Sequence, residues 1–313
     1  MKNKARIFSG RSNPDLTRGI NEILGMPTGK IALGNFSDGE IWIRIEENIR
    51  GTDVFIVQPT NPPAENILEL LLIIDAARRA SAKRITAVIP YYGYARQDRK
   101  DQPRVPISSR LIMDEIVNAG ADRIVAMDLH STQIQGFVNI PFDHLYAKGI
   151  FIEPLKKLTA GKDFTIVAPD VGGIKFARSY AQILGFPLSI IDKRRPQPNQ
   201  AEVMNVIGEC CVKNALLIDD MIDTGGTVVQ AARLLKENGA ETIVVVATHG
   251  LFSGNCVQHM MDAPIDKVIV TNSLSIPRER VFPKLEILSA APMLAEAIKR
   301  IHFEQSISTL FDF

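Results

Sequence analysis

One short segment of the chain combines carboxylates, glycines and hydroxyls in a pattern suited to a sugar phosphate. Asp219 and Asp220 follow an apolar run, and Asp223-Thr224-Gly225-Gly226-Thr227 leads into a helical pattern. Adjacent glycines let backbone N–H groups approach a phosphate, and a helix N-terminus favours an anion. Carboxylates suit sugar hydroxyls or a sugar-bound Mg²⁺ better than a bare phosphate. The segment therefore predicts a sugar-phosphate site, with a glycine turn and an acidic N-cap as the structural alternative.

A second segment, Phe36-Ser37-Asp38-Gly39-Glu40, precedes a run with alternating apolar residues. Its ring could stack on a planar base, and its carboxylates could accept hydrogen bonds from an exocyclic amine. Adenine has both features. The alternative is a hairpin-like turn that binds nothing.

Arginines form a third candidate group. Arg96-Gln97-Asp98-Arg99 follows a tyrosine-rich segment at the end of a predicted strand. A guanidinium group can hold phosphate oxygens through paired hydrogen bonds. A solvated charge cluster on a surface loop is the alternative, since more charged residues follow.

Candidate ligands also follow two apolar runs. His130 comes shortly after residues 124–127, in the sequence Asp128-Leu129-His130, and Asp170 comes shortly after residues 165–168. A lone histidine is most often a packed or surface residue. At the carboxyl end of a strand, beside a carboxylate, it is better placed for a ligand.

A basic run, Asp192-Lys193-Arg194-Arg195, opens a proline-rich stretch. We predict that this stretch is a loop between elements. Three adjacent cations could close over a polyphosphate. The alternative is a solvated basic loop.

The elements that position these residues are indicated by short runs rich in Val and Ile. Most runs are continuously apolar, which is typical of strands buried on both faces of a parallel sheet. Helical patterns lie between them, so right-handed βαβ units in a doubly wound α/β fold are expected. We predict strands at 54–57, 85–89, 124–127, 165–168, 215–218, 243–247 and 267–270, and helices at 66–79, 108–118, 173–184 and 227–238.

The length of 313 residues suggests two domains. Two stretches, one beginning near residue 53 and the other near 214, repeat the order strand, polar loop, helix, strand at nearly equal length. They predict two similar domains, 1–147 and 148–313, although any two βαβ units look alike.

Composition excludes several classes of protein. Lys plus Arg number 36 and Asp plus Glu 35, so no global field attracts a nucleic acid or a membrane surface. The 3 cysteines form no C-x-x-C pair, which fits free thiols in a reducing cytoplasm. The sequence shows no signal peptide and no apolar run long enough to span a membrane. We expect a cytoplasmic protein.

The sugar-phosphate segment resembles the phosphoribosyl-binding loop shared by phosphoribosyltransferases and ribose-phosphate diphosphokinases. The other motifs resemble the second family, the phosphoribosyl pyrophosphate synthetases of the bacterial class I type, over essentially the whole chain. They lie at 36–40, 90–99, 128–131, 133–137, 169–173 and 192–196. The resemblance implies two doubly wound parallel-sheet domains of the type I phosphoribosyltransferase kind.

The resemblance also implies roles for individual residues. A catalytic flexible loop would supply Lys193 and Arg195, and His130 and Asp170 would hold the metal on the ATP phosphates. ATP would be contacted, from the neighbouring subunit's N-terminal domain, by Phe36, Asp38, Gly39, Glu40, Arg96, Gln97, Asp98 and Arg99. Ribose 5-phosphate would be bound by Arg195, Asp219, Asp220, Asp223, Thr224, Gly225, Gly226 and Thr227.

The implied reaction transfers the β,γ-diphosphoryl group of MgATP to the anomeric hydroxyl of ribose 5-phosphate. The products are AMP and 5-phosphoribosyl 1-diphosphate, for nucleotide, histidine and tryptophan biosynthesis. Mg²⁺ is the expected metal, and a histidine ligand would let Mn²⁺ compete. A homohexamer with allosteric activation by inorganic phosphate is also implied.

Two other functions stay open on the sequence. A base-dependent phosphoribosyltransferase would use the same sugar-phosphate loop, but it would leave segments 36–40 and 96–99 without a purpose. A non-catalytic regulatory relative usually loses the catalytic loop, whose residues are all present here.

Overall fold

The computed structural model describes residues 5–194, 203–208 and 212–310. Strands are numbered β1–β14 along the chain. Their bounds are Ala5–Ser9, Ile31–Asn35, Ile41–Ile45, Asp53–Val57, Arg84–Ile89, Arg123–Met127, Phe142–Leu145, Thr165–Ala168, Leu188–Arg194, Val203–Ile207, Asn214–Ile222, Thr242–Gly250, Lys267–Thr271 and Leu285–Leu288.

The α-helices are numbered α1–α8 in the same way. Their bounds are Pro14–Leu24, Glu65–Arg79, Ser108–Ala119, Lys148–Thr159, Ile174–Leu184, Gly226–Glu237, Cys256–Asp262 and Ala291–His302. Short 3₁₀ helices occupy Thr132–Phe137, Arg278–Arg280 and Ser308–Leu310. In the ranges given above, no helix has the length and apolar character needed to cross a membrane.

Contacts divide the chain into two compact units. The first contains the chain through Ala147, the short segment Ser273–Ser275, and a C-terminal segment that starts at Ser289 and includes α8. The second contains Lys148–Asn272 and Ile276–Leu288.

A parallel sheet forms the centre of the first unit. Its strand order is β1-β4-β5-β6-β7, and every neighbouring pair runs parallel. All five residues of β4 are buried, as expected of a strand with both faces covered. A separate antiparallel hairpin, β2–β3, packs the apolar side chains Ile31, Leu33, Ile43 and Ile45 against this core.

The second unit holds a larger sheet with the order β10-β9-β8-β11-β12-β13-β14. Its strands are parallel except β10, which runs antiparallel to β9 at the edge. The prediction of an α/β protein with two parallel sheets is confirmed, and each of the seven predicted strands is present. The helix starts predicted at 66 and 227 lie one residue beyond the observed starts of α2 and α6.

The structure corrects two details of the predicted elements. The stretch after Ile191 was expected to be a loop, but β9 continues through Arg194 and pairs with β10. The run that ends at Ile218 was expected to end the strand before Asp219, yet β11 continues to Ile222. Pairing with β12 includes Asp219 and resumes at Met221, so the polar residues stand within an interrupted strand.

The compact units also differ from the predicted 148–313 domain at its C-terminal end. Helix α8 packs against α1 of the first unit and buries Leu294, Ile298 and Ile301. An ionic cluster fixes its end: the Arg84 guanidinium group binds both carboxylate oxygens of Asp53 and donates to the Ile301 carbonyl at 2.9 Å. Apolar periodicity reveals that a helix has a buried face, but not which sheet covers it.

We expect Arg84→Met to lower the free energy of unfolding by about 1–3 kcal/mol, because it leaves the part-buried Asp53 carboxylate and the Ile301 carbonyl without this donor. Arg79→Met removes an exposed pair with Asp75 on α2 and serves as the control, with an effect below about 0.5 kcal/mol. Equilibrium denaturation measures both values, and equal effects would contradict this role of the cluster.

Candidate functional site

The sugar-phosphate segment lies at the carboxyl edge of the second sheet. Gly225 ends the turn after β11 with φ of +77° and is the N-cap of α6. The first N–H groups of α6 have no acceptor within the helix, so they are available to an anion. Thr224 and Gly226 are exposed, and Thr227 is half-buried. The predicted phosphate-binding residues therefore surround one helix N-terminus.

The turn is supported from beneath by the segment after β12. The Ser253 N–H donates to the Asp223 carbonyl at 2.9 Å, and the Leu251 N–H donates to the Ile222 carbonyl at 2.9 Å. Cys256 is fully buried, and a Cβ atom placed on Gly225 would lie 2.8 Å from its sulfur. Burial raises the pKa of the Cys256 thiol to about 12, and the Asp223 charge adds to the shift. The thiol is therefore a neutral packing group under the turn.

Three carboxylates meet at the same edge. Asp219 and Asp220 belong to β11, and Asp170 follows β8, the parallel neighbour of β11. Burial is the main cause that raises the pKa of Asp219 well above its ordinary value, and the charges of Asp220 and Asp170 add to it. Asp170 also has a structural role, since its Oδ1 accepts a hydrogen bond from the Gly173 N–H at 3.0 Å before α5 begins.

Strand β9 brings the predicted catalytic lysine to this edge. Its pairing with β8 ends at Ile190, opposite Ala168, and the strand continues to Arg194. At about 3.3 Å per residue, the Lys193 backbone stands roughly 10 Å beyond the last β8 pair. Arg195, the other predicted catalytic residue, lies outside the described residues.

A cavity of about 510 Å³ in the first unit gathers several predicted ATP contacts. Arg96, Gln97, Asp98 and Arg99 line it together with His130. The side chain of Gln97 is fixed at the start of α3, where its Oε1 accepts a hydrogen bond from the Ser108 hydroxyl and its carbonyl accepts one from the Ser109 N–H. The structure therefore brings together two motifs that are about 30 residues apart in the sequence.

The segment 36–40 is the turn of the β2–β3 hairpin, so the structural alternative was correct about its local form. The Phe36 N–H donates to the Glu40 carbonyl at 2.8 Å, and the Asp38 carboxylate accepts from the Glu40 N–H at 3.0 Å. Phe36 is 57% exposed, which leaves its ring free to stack on a planar group. Gly39 has φ of +98°. The turn does not line the cavity of Arg96 and His130.

A metal is implied by the family resemblance, and the donor set suits a hard cation. Asp170, Asp219 and Asp220 supply carboxylate oxygens at one edge. Burial, together with the charges of Asp220 and Asp170, raises the pKa of Asp219, and a divalent cation would oppose both effects. His130 belongs to the first unit and Asp170 to the second. Over residues 5–194, 203–208 and 212–310, no group of three His, Cys, Asp or Glu side chains is arranged to hold a metal by itself. Mg²⁺ commonly completes its shell with water and substrate phosphates.

Sequence reasoning missed several supporting residues. It did not find Ser253 or Cys256 beneath the sugar-phosphate turn, or Ser108 beside Gln97. No motif marks them, because a backbone donor or a small packed side chain can come from many residue types.

The fold is thus a two-unit α/β protein whose parallel sheets gather polar residues at their carboxyl edges. Family models match both ends of the chain. The model described as the N-terminal domain of ribose phosphate pyrophosphokinase matches residues 5–120, and that of the phosphoribosyl synthetase-associated domain matches residues 188–312. The chain belongs to the ribose-phosphate pyrophosphokinase family.

Individual relatives match over nearly their whole length. Ribose-phosphate pyrophosphokinases from Chlorobaculum tepidum and Bacillus subtilis are 51% and 49% identical to this chain, covering 100% and 98% of it and 96% of each relative. The crystal structure of phosphoribosylpyrophosphate synthetase from Mycobacterium smegmatis has a TM-score of 0.91 at 41% identity, over 96% of this chain and 99% of that one. The family resemblance read from the motifs is confirmed.

We expect Gly225→Ala to lower the free energy of unfolding by about 1–3 kcal/mol, because the left-handed backbone and the contact with Cys256 both disfavour a Cβ atom. It should also weaken ribose 5-phosphate binding at least about ten-fold, since the helix N-terminus would shift. Denaturation and calorimetric titration measure the two effects.

Gly226→Ala is the matched control at the next position. Its Cβ would have one neighbour, the Thr224 hydroxyl at 3.9 Å. Stability should therefore change by less than about 0.5 kcal/mol. A Gly226→Ala variant as unstable as Gly225→Ala would contradict the explanation given for Gly225.

We expect Asp219→Asn to change the pH dependence of stability in the metal-free protein. An acid with a raised pKa in the fold contributes stability below its unfolded pKa, and this contribution is lost as the pH rises through the folded pKa. The variant lacks this loss, so its free energy of unfolding, relative to that of the original chain, should increase as the pH rises above about 4. Urea denaturation in EDTA measures it, with exposed Asp15→Asn as the control. A constant difference would contradict the raised pKa.

Proposed function

We propose that this chain is a ribose-phosphate diphosphokinase, which makes 5-phosphoribosyl 1-diphosphate for nucleotide, histidine and tryptophan biosynthesis. One observation carries the proposal: a glycine turn before a helix, three carboxylates and the extension of β9 meet at one sheet edge in a chain of this family. The full-length matches do not favour a base-dependent phosphoribosyltransferase or a regulatory relative.

Ribose 5-phosphate would bind with its phosphate on the backbone N–H groups of residues 224–227. Its ring hydroxyls would then donate hydrogen bonds to the carboxylate oxygens of Asp219 and Asp220. This orientation directs the anomeric hydroxyl away from the helix N-terminus.

In the reaction, the anomeric oxygen forms a bond to the β-phosphorus of ATP, and the bond from that phosphorus to the α,β-bridging oxygen breaks. AMP leaves, and the anomeric proton passes to solvent or to a carboxylate. Such transfers depend mainly on positioning and on charge stabilisation. Lys193 and Arg195 would stabilise the charge that develops on the transferred group.

ATP would contact Phe36, Asp38, Gly39 and Glu40 through its base, and Arg96, Gln97, Asp98 and Arg99 through its phosphates and ribose. His130 and Asp170 would hold Mg²⁺ on the ATP phosphates, with Mn²⁺ as a competing ion. The metal, when bound, neutralises phosphate charge. By the family resemblance, both the hairpin turn and residues 96–99 would reach ATP from the neighbouring subunit's N-terminal domain.

We further propose that the chain works in the cytoplasm as an allosteric homohexamer that inorganic phosphate activates. These features come from the family resemblance. The proposal includes no nucleic-acid partner and no membrane partner.

A product assay with ribose 5-phosphate, Mg²⁺ and ATP labelled on the β-phosphate tests the function. We expect AMP to form in step with a labelled sugar diphosphate, because attack at the β-phosphorus transfers two phosphates together. Formation of ADP would mean transfer of the γ-phosphate alone and would overturn the proposed geometry.

The same assay tests the role of Lys193 with one variant and one control. Lys193→Ala should lower kcat by at least about 10²–10³ without loss of folding. Lys213→Ala, at a surface pair with Glu241, should keep normal turnover. Normal turnover by Lys193→Ala would refute the role of Lys193.

A further inference from the structure

A buried carboxylate in the first unit lies beneath the hairpin that carries the proposed adenine contacts. Glu69 of α2 is 2% exposed, yet the mechanism above gives it no role. Its Oε1 accepts hydrogen bonds from the Arg11 N–H at 2.6 Å and from Gln58 Nε2 at 3.1 Å. Its Oε2 pairs with Arg11 Nε. The carboxylate therefore fixes both the backbone and the side chain of Arg11.

Arg11 continues this chain of contacts outward. Its Nη1 donates to Asn35 Oδ1 at 2.6 Å, while its Nε remains on Glu69. A guanidinium group is planar and rigid, so holding one edge on Glu69 sets the direction of the other edge. The Arg11 side chain is 42% exposed, so it extends from a buried anchor to the surface.

Asn35 completes the connection to the turn. It is the last residue of β2, and its Nδ2 donates to the Gly39 carbonyl at 2.7 Å. Gly39 stands between Asp38 and Glu40. The hydrogen bonds of the Phe36, Gly39 and Glu40 N–H groups all end on acceptors within residues 36–40. The Asn35 contact therefore links a locally closed turn to the buried body of the unit.

We propose that Glu69, Arg11 and Asn35 form a positioning relay that holds the 36–40 turn in the conformation that binds the adenine part of ATP. This inference rests on the proposed function and deepens it. Arg11 and Asn35 are positioning residues, because they act through Gly39 and not on the substrate. The relay should affect the affinity for ATP and leave the affinity for ribose 5-phosphate unchanged, because a preordered turn lowers the cost of ordering on binding.

Two variants interrupt the relay at different points. Arg11→Met removes both side-chain contacts, while Gln58 still donates to Glu69. Asn35→Ala leaves the Arg11–Glu69 pair intact and removes the bond to Gly39, at an exposed site where folding is not threatened. We expect each to raise the KM for ATP about ten-fold, with the KM for ribose 5-phosphate within two-fold of its original value.

The double variant tests whether the two residues act in series. If they do, Arg11→Met combined with Asn35→Ala raises the KM for ATP no further than either change alone. Arg11→Lys keeps the positive charge but cannot span Glu69 and Asn35 together, so it should resemble Arg11→Met. Recovery of ATP affinity by Arg11→Lys, or additive effects in the double variant, would overturn the relay.

Amide exchange supplies a readout that needs no catalysis. The Gly39 and Glu40 amides should exchange about ten-fold faster in both single variants, with the β4 amides unchanged. The single tryptophan, Trp42, packs across from Gly34 in the same hairpin, so its fluorescence reports whether the hairpin itself stays folded. Arg44→Met, which removes the exposed pair between Arg44 of β3 and Glu46, is the matched control and should change none of these values.

The outcomes separate this inference from the proposed function. Unchanged exchange at Gly39 and an unchanged KM for ATP in Asn35→Ala would overturn the relay. Equal rises in both KM values, together with a lower Tm, would also overturn it and leave a merely structural role. If the original chain binds no ATP, the proposed function fails, and the exchange measurement still decides whether the relay orders the turn.

Discussion

A strand buried on both faces of a parallel sheet disfavours ionised side chains within its length, and the candidate site depends on this constraint. All four residues of β8 are buried, and the first five of β11 are buried as well. An ionised carboxylate inside those runs would lose its hydration at a high cost. Asp170 and Asp219 therefore come at the ends of the buried runs, and the parallel arrangement places both at one edge. Their mutual repulsion follows from the same geometry, and it would be relieved by a cation or a hydroxyl donor between them.

Strand length then decides how far each group projects from that edge. Strand β8 ends at Ala168, whereas β9, β11 and β12 continue beyond it. The longer strands carry Lys193 and the sugar-phosphate turn outward, while backbone pairing still holds them. Sequence patterns located the apolar parts of β8, β11 and β12 correctly, but they ended β11 and β12 too early and did not predict β9. Polar residues in a strand that has left the core lack the apolar signal on which strand prediction depends.

The sequence therefore predicted the elements that depend on burial of apolar side chains. It predicted few features that depend on specific hydrogen bonds and ion pairs. The seven apolar strands and the glycine turn were predictable because their patterns are local. The packing of α8 on the first unit was not, since it depends on Arg84 meeting Asp53 and a carbonyl more than 200 residues away. The local turn contacts of two predicted site carboxylates also leave room for a ligand. Asp170 and Asp38 each accept a local N–H, and a carboxylate has further lone pairs for a ligand.

Glu69 illustrates why such directed contacts persist despite their cost. Burying a carboxylate costs several kcal/mol unless it is paired, and the pair with Arg11 offsets much of that cost without a large net gain. Two apolar residues of similar volume would hold α2 in place equally well. They would not fix the direction of a guanidinium group that reaches Asn35 at the surface. The buried charge is thus better explained by the orientation it gives to the hairpin turn than by the stability it adds to the fold.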